Sequence, residues 1–307
     1  MVLQVYVDDS GGKGQPSPMV FGGLLLDADR WLAFADAWAG ALRREPSVRR
    51  FKLDEAAGPS GPWRGFDPDV RRAKLHEVAA VLSTFSPRVI RVSVDVDAFR
   101  LTLGQVCTKP LNHPYFFALF DTVCLIASHL ASEAQTERFE IVFDEHAILS
   151  PRVLRWYPQV LDLVDQLARG AGGHWAQLRS ILPLSPIFRT DDDLLPLQAA
   201  DLMAGMLRGD LRGDHKLKWW RPELPPLTWA FDYDREQLQR TMRGADGARV
   251  AYAIDPERYA QALGLGDDPS LLPSWLRGRG RAFHASRARS RPASPQSPEP
   301  GPGAGPS

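Results

Sequence analysis

Cysteine is nearly absent from this chain. Its 307 residues include two, Cys107 and Cys124. Two cysteines cannot build a disulfide framework or a cysteine-based zinc site. Both are expected to be buried, inert thiols in a reduced setting. Net charge is missing as well, since 37 basic residues balance 37 acidic ones. That balance excludes a wholly basic nucleic-acid coat and a wholly acidic disordered chain. The start of the chain has no charged-then-apolar leader and reads at once as a strand, so the expected location is cytoplasmic. No G-x-x-x-x-G-K-[ST] phosphate loop occurs. Long apolar runs are also scarce. The one candidate, 113–132, contains Asp121 and His129, and it reads as a central core helix, not a membrane span.

What is present is an ordinary globular composition, 44% hydrophobic and 24% charged. A chain of this length can bury a substantial core. Charge is unevenly spread along it. From Arg277 onward six arginines (277, 279, 281, 287, 289 and 291) stand against one acid, Glu299, so the tail carries +5 and residues 1–276 carry −5. The tail is otherwise Ser, Pro, Ala and Gly. It has too few apolar residues to offset the entropy of ordering, so 277–307 is expected to be a disordered basic arm. Such an arm can hold phosphate backbone. It also arises as a neutral extension in arginine-rich coding sequences, and arginine outnumbers lysine 31 to 6 here.

The body alternates strand and helix signals. Val2–Val7 is a β-branched and aromatic run ending in Asp8-Asp9-Ser10-Gly11-Gly12, and Met19–Leu26 is a second strand. The Gly/Pro-rich link between them predicts a hairpin. Helices are expected over 28–43, from Asp67-Pro68 to about Phe85, over 113–132, from Ser150-Pro151 to about Arg169, and over 194–211. Further strands are expected at 88–96, 137–143 and 178–184. Strands separated by helices give parallel neighbours, and the opening hairpin makes the sheet mixed. The expected architecture is therefore a three-layer α/β domain over 1–211, with a mixed five-stranded sheet and helices on both faces. A helical and loop elaboration follows over 212–276. There Trp219 and Trp220, beside Lys216 and Lys218, could stack on bases or simply pack.

Three acidic clusters carry the chemistry. Asp8 and Asp9 follow the first strand, and Asp144 and Glu145 follow the fourth. Asp201 lies inside an apolar helix with Gln198 one turn before it. An Asp among apolar neighbours is costly to bury ionised unless it is paired or binds metal. Converging carboxylates raise each other's pKa, and a divalent cation relieves that conflict. Oxygen ligands without His or Cys point to Mg²⁺ or Mn²⁺. Two such ions roughly 4 Å apart are a common device for in-line attack on a phosphodiester. Each cluster also has a plain alternative. Asp-Asp-Ser-Gly-Gly makes a good turn, Asp144-Glu145 could cap a loop, and an arginine could hold Asp201. His146 could move a proton or sit solvated.

Other motifs fail on context. Asp9-Ser-Gly-Gly resembles a serine-protease motif, but too little chain precedes it to supply the His and Asp. Ser10 breaks the phosphatase pattern D-x-D. The actin-like and sugar-kinase-like ATPases need two domains of this size.

The pattern Tyr6-Val-Asp-Asp-Ser-Gly11, then Phe143-Asp-Glu145, then Gln198-Ala-Ala-Asp201-Leu-Met-Ala-Gly205 resembles the bacterial and phage family called domain of unknown function 3800. Members of that family typically begin with Y-x-D-E-S-G and close the core with Q-x-A-D-x-x-A-G. The resemblance covers roughly residues 2–211. It implies a ribonuclease H-like fold with an acidic metal centre, in which Asp8, Asp144 and Asp201 hold the metal. Asp9 and Glu145 are further candidate ligands, and Ser10, Lys52 and Gln198 would support the site. It implies a nuclease acting on nucleic acid with Mg²⁺ or Mn²⁺. Two departures stand out. Asp9 replaces a Glu, and the family's Glu-x-Lys appears here as Arg50-Phe51-Lys52. The fourth carboxylate is thus open among Asp54, Glu55, Glu145 and Asp9. A one-metal site, or a catalytically silent binding module of the kind found in phage defence, remains an alternative.

Overall fold

In the computed structural model of the chain, the described residues are 2–11, 14–58, 60–171, 173–214, 223–242, 254–264, 272 and 276. The tail 277–307, and the Trp219-Trp220 pair with Lys216 and Lys218, lie outside them.

Among the described residues, six strands form one sheet: β1 (Leu3–Ser10), β2 (Met19–Asp27), β3 (Arg88–Val94), β4 (Glu140–Asp144), β5 (Ile187–Arg189) and β6 (Leu227–Tyr233). Their order is β5-β4-β1-β2-β3-β6. β1 and β3 flank β2 in antiparallel pairing, while β4 pairs β1, β5 pairs β4 and β6 pairs β3 in parallel. Only β2 runs against the rest. The carboxyl ends of β1, β4 and β5 therefore meet at one edge.

The helices are α1 (Ala28–Arg43), α2 (Leu53–Ala57), α3 (Pro68–Phe85), α4 (Val96–Arg100), α5 (Leu103–Val106), α6 (Pro114–Ser132), α7 (Ser150–Ala171), α8 (Gly173–Ile181), α9 (Leu195–Arg212), α10 (Arg235–Met242) and α11 (Pro256–Ala262). They form two outer layers. One buries Val5 and Val7 of β1 against Phe99, Leu103 and most of α6. The other buries Tyr6 against Trp31, Phe34 and Trp38 of α1, Leu75 of α3 and Leu197 of α9. This split follows from the period-two pleat of a strand. The fold is α/β, with a mixed sheet and helices on both faces, as the alternation of signals requires.

Local signals explain several boundaries. Asp67 accepts the Asp69 N–H at 2.8 Å and Pro68 fills the first helical position, which opens α3. The apolar α6 is 83% buried over the window that could cross a membrane, so it is a core helix. Asp121 on it is buried.

Three expectations need correction. The fifth strand is not at 178–184: Trp175, Leu178 and Ile181 are buried on α8. Their spacing of three fits a helical face better than a pleat. The strand follows at Ile187–Arg189, beyond Pro183 and Pro186. Next, the sheet has six strands rather than five, because Leu227–Tyr233 joins β3 as an edge strand within 212–276. Finally, β1 extends to Ser10, since Asp8, Asp9 and Ser10 pair with Gly22, Phe21 and Val20. Asp8 and Asp9 are thus held by the pleat and not by a turn.

Gly22 sets how closely α9 lies on the sheet. A Cβ there would stand 2.6 Å from the Ala204 Cα. That neighbour is backbone and cannot turn aside. Gly22→Ala is therefore expected to cost about 1–3 kcal/mol by overpacking, read as a lower urea midpoint with an unchanged slope.

Candidate active site

The pleat decides which acids can meet. Asp8 follows Tyr6 by two residues and shares its face, on the side of α9. Asp144 follows Val142 by two and shares that same face. Val7 pairs with Phe143 in the parallel β1–β4 register. Asp8 and Asp144 therefore stand level on adjacent strands, roughly 5 Å apart in backbone spacing. α9 crosses β1 and β2 above them. Its Ala204 sits on Gly22, the register partner of Asp8, and Asp201 lies one turn back along the helix. Strand, strand and helix so bring Asp8, Asp144 and Asp201 to the same edge and face of the sheet, near enough for Asp201 and Asp144 to act on Asp8 through their charges.

Their surroundings show what that costs. Burial holds the Asp8 carboxyl well above the usual carboxylate range, and the charges of Asp201, Asp9 and Asp144 push it further. The Asp9 N–H, donated to Asp8 Oδ1 at 2.7 Å, works in the other direction. Asp201 is raised to about 6, chiefly by burial and also by Asp54 and Asp191, against the Leu53 N–H and Lys52. The Leu53 N–H donates to Asp201 Oδ2 at 2.7 Å. Asp144 is raised mainly by burial and partly by Asp191, while Lys52 and the backbone N–H groups of Glu145 and Asp191 favour its charge.

Asp191 is a fourth acid that the sequence reading missed. It follows β5 by two residues at the same edge of the sheet and is buried. Its Oδ2 lies 2.8 Å from Lys52 Nζ. The signal was available in the run Asp191-Asp192-Asp193 just before α9. With the fifth strand placed at 178–184, that run appeared to lie far from any strand end. Asp191 also acts on Asp144 and Asp201 through its charge. The other candidates are engaged or displaced. Glu55 pairs with Arg50 at 2.7 Å, Asp54 acts on Asp201 only through its charge, and Glu145 is exposed beyond β4.

Asp9 points the other way, toward the face of α6. Its pKa is raised to about 6 by burial, with His146 lowering it and Asp144 raising it. Tyr115, at the start of α6, has its hydroxyl pKa raised by burial and by Asp9, Asp8 and Asp144. The pleat thus separates Asp9 from the trio on the α9 face. His146 is exposed, and its Nδ1 accepts the N–H groups of Ile148 at 3.3 Å and Leu149 at 3.4 Å.

The supporting residues divide by burial. Ser10 stands one pleat beyond Asp8 on the same face, partly exposed. Lys52 reaches into the acids. Burial disfavours its ammonium, but the hydrogen bond to Asp191 and the charges of Asp191, Asp201 and Asp144 outweigh this and raise its pKa. Gln198 is 1% exposed and fully engaged. Its Oε1 accepts from Trp38 Nε1 at 3.2 Å and from the Phe51 N–H at 3.1 Å, while its Nε2 donates to the Asp191 carbonyl at 2.9 Å. It fixes the segments that present Lys52 and Asp191 and does not reach a ligand itself. Gln198→Ala strands two buried donors. It should cost about 2–4 kcal/mol, visible as a lower urea midpoint, and should loosen both segments.

Among the described residues, no three Asp, Glu, His or Cys side chains are gathered closely enough to be a formed metal site. The donor chemistry nonetheless fits a hard divalent cation. All four donors are carboxylates, and burial raises the pKa of Asp8, Asp144 and Asp201.

No protein-family model matches the sequence, and a search of curated proteins finds no match. Among solved structures, the chain is similar to one described as "Structure of the PCNA:RNase HII complex from Archaeoglobus fulgidus". The identity is 13% and the TM-score 0.36, over 82% of this chain and 93% of that one.

Proposed function

We propose that this chain is a divalent-metal-dependent nuclease of the ribonuclease H-like kind, related to the domain of unknown function 3800 family. One observation carries the reading. Asp8 of β1, Asp144 of the parallel neighbour β4 and Asp201 of α9 share one face at the carboxyl edge of the sheet; Asp8 is buried, the other two are half-buried, and desolvation raises the pKa of all three. Folding holds these like charges together at a cost, and a cation-assisted reaction gives that cost a use.

Asp8, Asp144 and Asp201 would hold Mg²⁺ or Mn²⁺, with Asp191 completing the set. A bound cation of this kind lowers the pKa of water and steadies developing charge on phosphate oxygens. The chain's own groups do the rest. The Leu53 N–H fixes one oxygen of Asp201. The Asp191 and Glu145 N–H groups fix Asp144. Lys52 supplies a charged donor beside the acids for a phosphate oxygen.

Lys52 also favours a second reading. Its ammonium already lies among Asp144, Asp191 and Asp201, so it could serve as the centre's permanent cation. The chain would then be a silent nucleic-acid or protein-binding module. The test is cleavage of labelled single- and double-stranded DNA and RNA with Mg²⁺ or Mn²⁺. The wild type and an Asp8→Asn/Asp201→Asn variant run side by side. The nuclease reading expects cleavage by the wild type alone. Equal cleavage by both proteins, or none by either under any of these conditions, contradicts it.

A further inference from the structure

α9 follows the β1–β2 hairpin outward from the acids, and two glycines mark its course. Ala204 lies on Gly22, level with Asp8, and Arg208 lies on Gly11. Gly11 has φ +90°, and a Cβ there would overlap Arg208 Nε. Arg208 Nε donates to the Pro18 carbonyl at 2.9 Å, and its Nη2 donates to the Pro16 carbonyl at 2.7 Å. Both acceptors are neutral.

The other cations of the site wall are matched by acids. Arg50 pairs with Glu55 and Asp192, and Lys52 pairs with Asp191. Among the described residues, Arg208 makes no ion pair. Arg212 stands one turn further along α9 and repels it. Burial and that neighbour lower the Arg208 pKa, with the charge of Asp54 acting against them. Guanidinium has five N–H donors, and the two carbonyls engage Nε and Nη2. The Nη1 side is left for an anion, on a head group whose orientation is already fixed.

The spacing suits a polyanion. Asp201 and Arg208 are roughly 10 Å apart along the helix axis. Gly11 is likewise roughly 10 Å beyond Asp8 along the strand. A strand's phosphates wind about the duplex axis, so neighbours lie farther apart through space than their axial rise of about 3.4 Å, and roughly 10 Å spans about one or two of them. We infer that Arg208 is a substrate-positioning residue whose guanidinium, held by the hairpin carbonyls, takes the backbone phosphate about one or two nucleotides from the one that is cut. This rests on the nuclease reading above and adds where the substrate strand runs, outward along α9 and the hairpin.

The test measures binding of labelled single-stranded DNA, RNA and duplex DNA by anisotropy in EDTA, across a range of salt. Arg208→Gln should weaken binding and make the slope of log K against log salt shallower by about 0.7–0.9, one phosphate contact. Arg208→Lys keeps the charge and loses the two-carbonyl clasp, so it should keep the wild-type slope. If Arg208 only fastens the hairpin, both variants lose thermal stability and neither changes the slope, which overturns the inference. A second measurement needs no variant. Methylphosphonates placed one at a time along the oligonucleotide should weaken wild-type binding at a position about one or two nucleotides from the cut. No such position would also overturn it. Should the wild type bind none of the three nucleic acids in EDTA and cleave none of them with Mg²⁺ or Mn²⁺, the nuclease reading itself falls. If it binds and the slope ignores Arg208→Gln, only this inference falls.

Discussion

Asp201→Asn should make the metal-free protein more stable near neutral pH, and Asp8→Asn should do the same. The folded-state pKa of Asp201 is about 6 against an ordinary 3.8. A folded pKa above the unfolded one means that the native state binds the proton more tightly. The penalty for ionising is therefore absent below about pH 4, grows between about pH 4 and 6, and is complete above that. At 1.36 kcal/mol per unit it amounts to about 2–3 kcal/mol. Asn removes the charge and keeps an acceptor for the Leu53 N–H. In a protein of this size the gain corresponds to roughly 5–10 °C in melting temperature. Melting curves at neutral pH and near pH 4 check it. The variant should melt higher at neutral pH, and the difference should close near pH 4. A lower melting temperature at neutral pH would mean that Lys52 already satisfies the carboxylate.

The same substitution should nearly abolish cleavage. Losing one carboxylate of a cation-holding set forfeits several kcal/mol of transition-state stabilisation. At about 4 kcal/mol the rate falls roughly 10³-fold. Asp8, Asp144 and Asp201 act as one unit, so the double variant Asp8→Asn/Asp201→Asn should be scarcely worse than either single. Asp9→Asn should cost far less, because its side chain lies on the α6 face. Single-turnover rates on the best substrate separate these cases. A loss for Asp9→Asn as large as that for Asp201→Asn would place the reacting phosphate on the wrong face. More stable yet inactive is an unusual pairing for one variant, and both effects have a single cause in carboxylates held together against their charge.

Much of this was legible in the sequence because local signals agreed with the tertiary outcome. The β-branched run of β1, the Asp67-Pro68 start of α3 and the apolar α6 each carry their own chemistry. Asp201 stood out as a charge inside an apolar helix. What was not legible depended on register and on partners distant in the chain. Asp9 and Asp8 look equivalent as neighbours, and only the pleat and the α9 crossing assign them to opposite faces. Gln198 looked like a ligand group, but its bonds to Trp38, Phe51 and Asp191 appear only once α1, the segment before α2 and the loop after β5 converge on α9. Asp191 was hidden because Trp175, Leu178 and Ile181 form a helical face where the reading placed a strand. β6 was missed because an edge strand beside Pro225 and Pro226 has a weak signal, with its pairing supplied by β3.

The most direct test is a calorimetric titration of Mn²⁺ into the wild type and Asp201→Asn near the Asp201 pKa of about 6, repeated in two buffers of different ionisation enthalpy. The account predicts saturable binding by the wild type with release of protons, because at that pH Asp201 is still partly protonated and a bound cation displaces the proton. Asp201→Asn should bind far more weakly and release fewer protons. If Mn²⁺ binds both proteins alike, or binds neither while both melt unchanged in its presence, the acidic cluster is not a cation site and Lys52 is its only counter-ion.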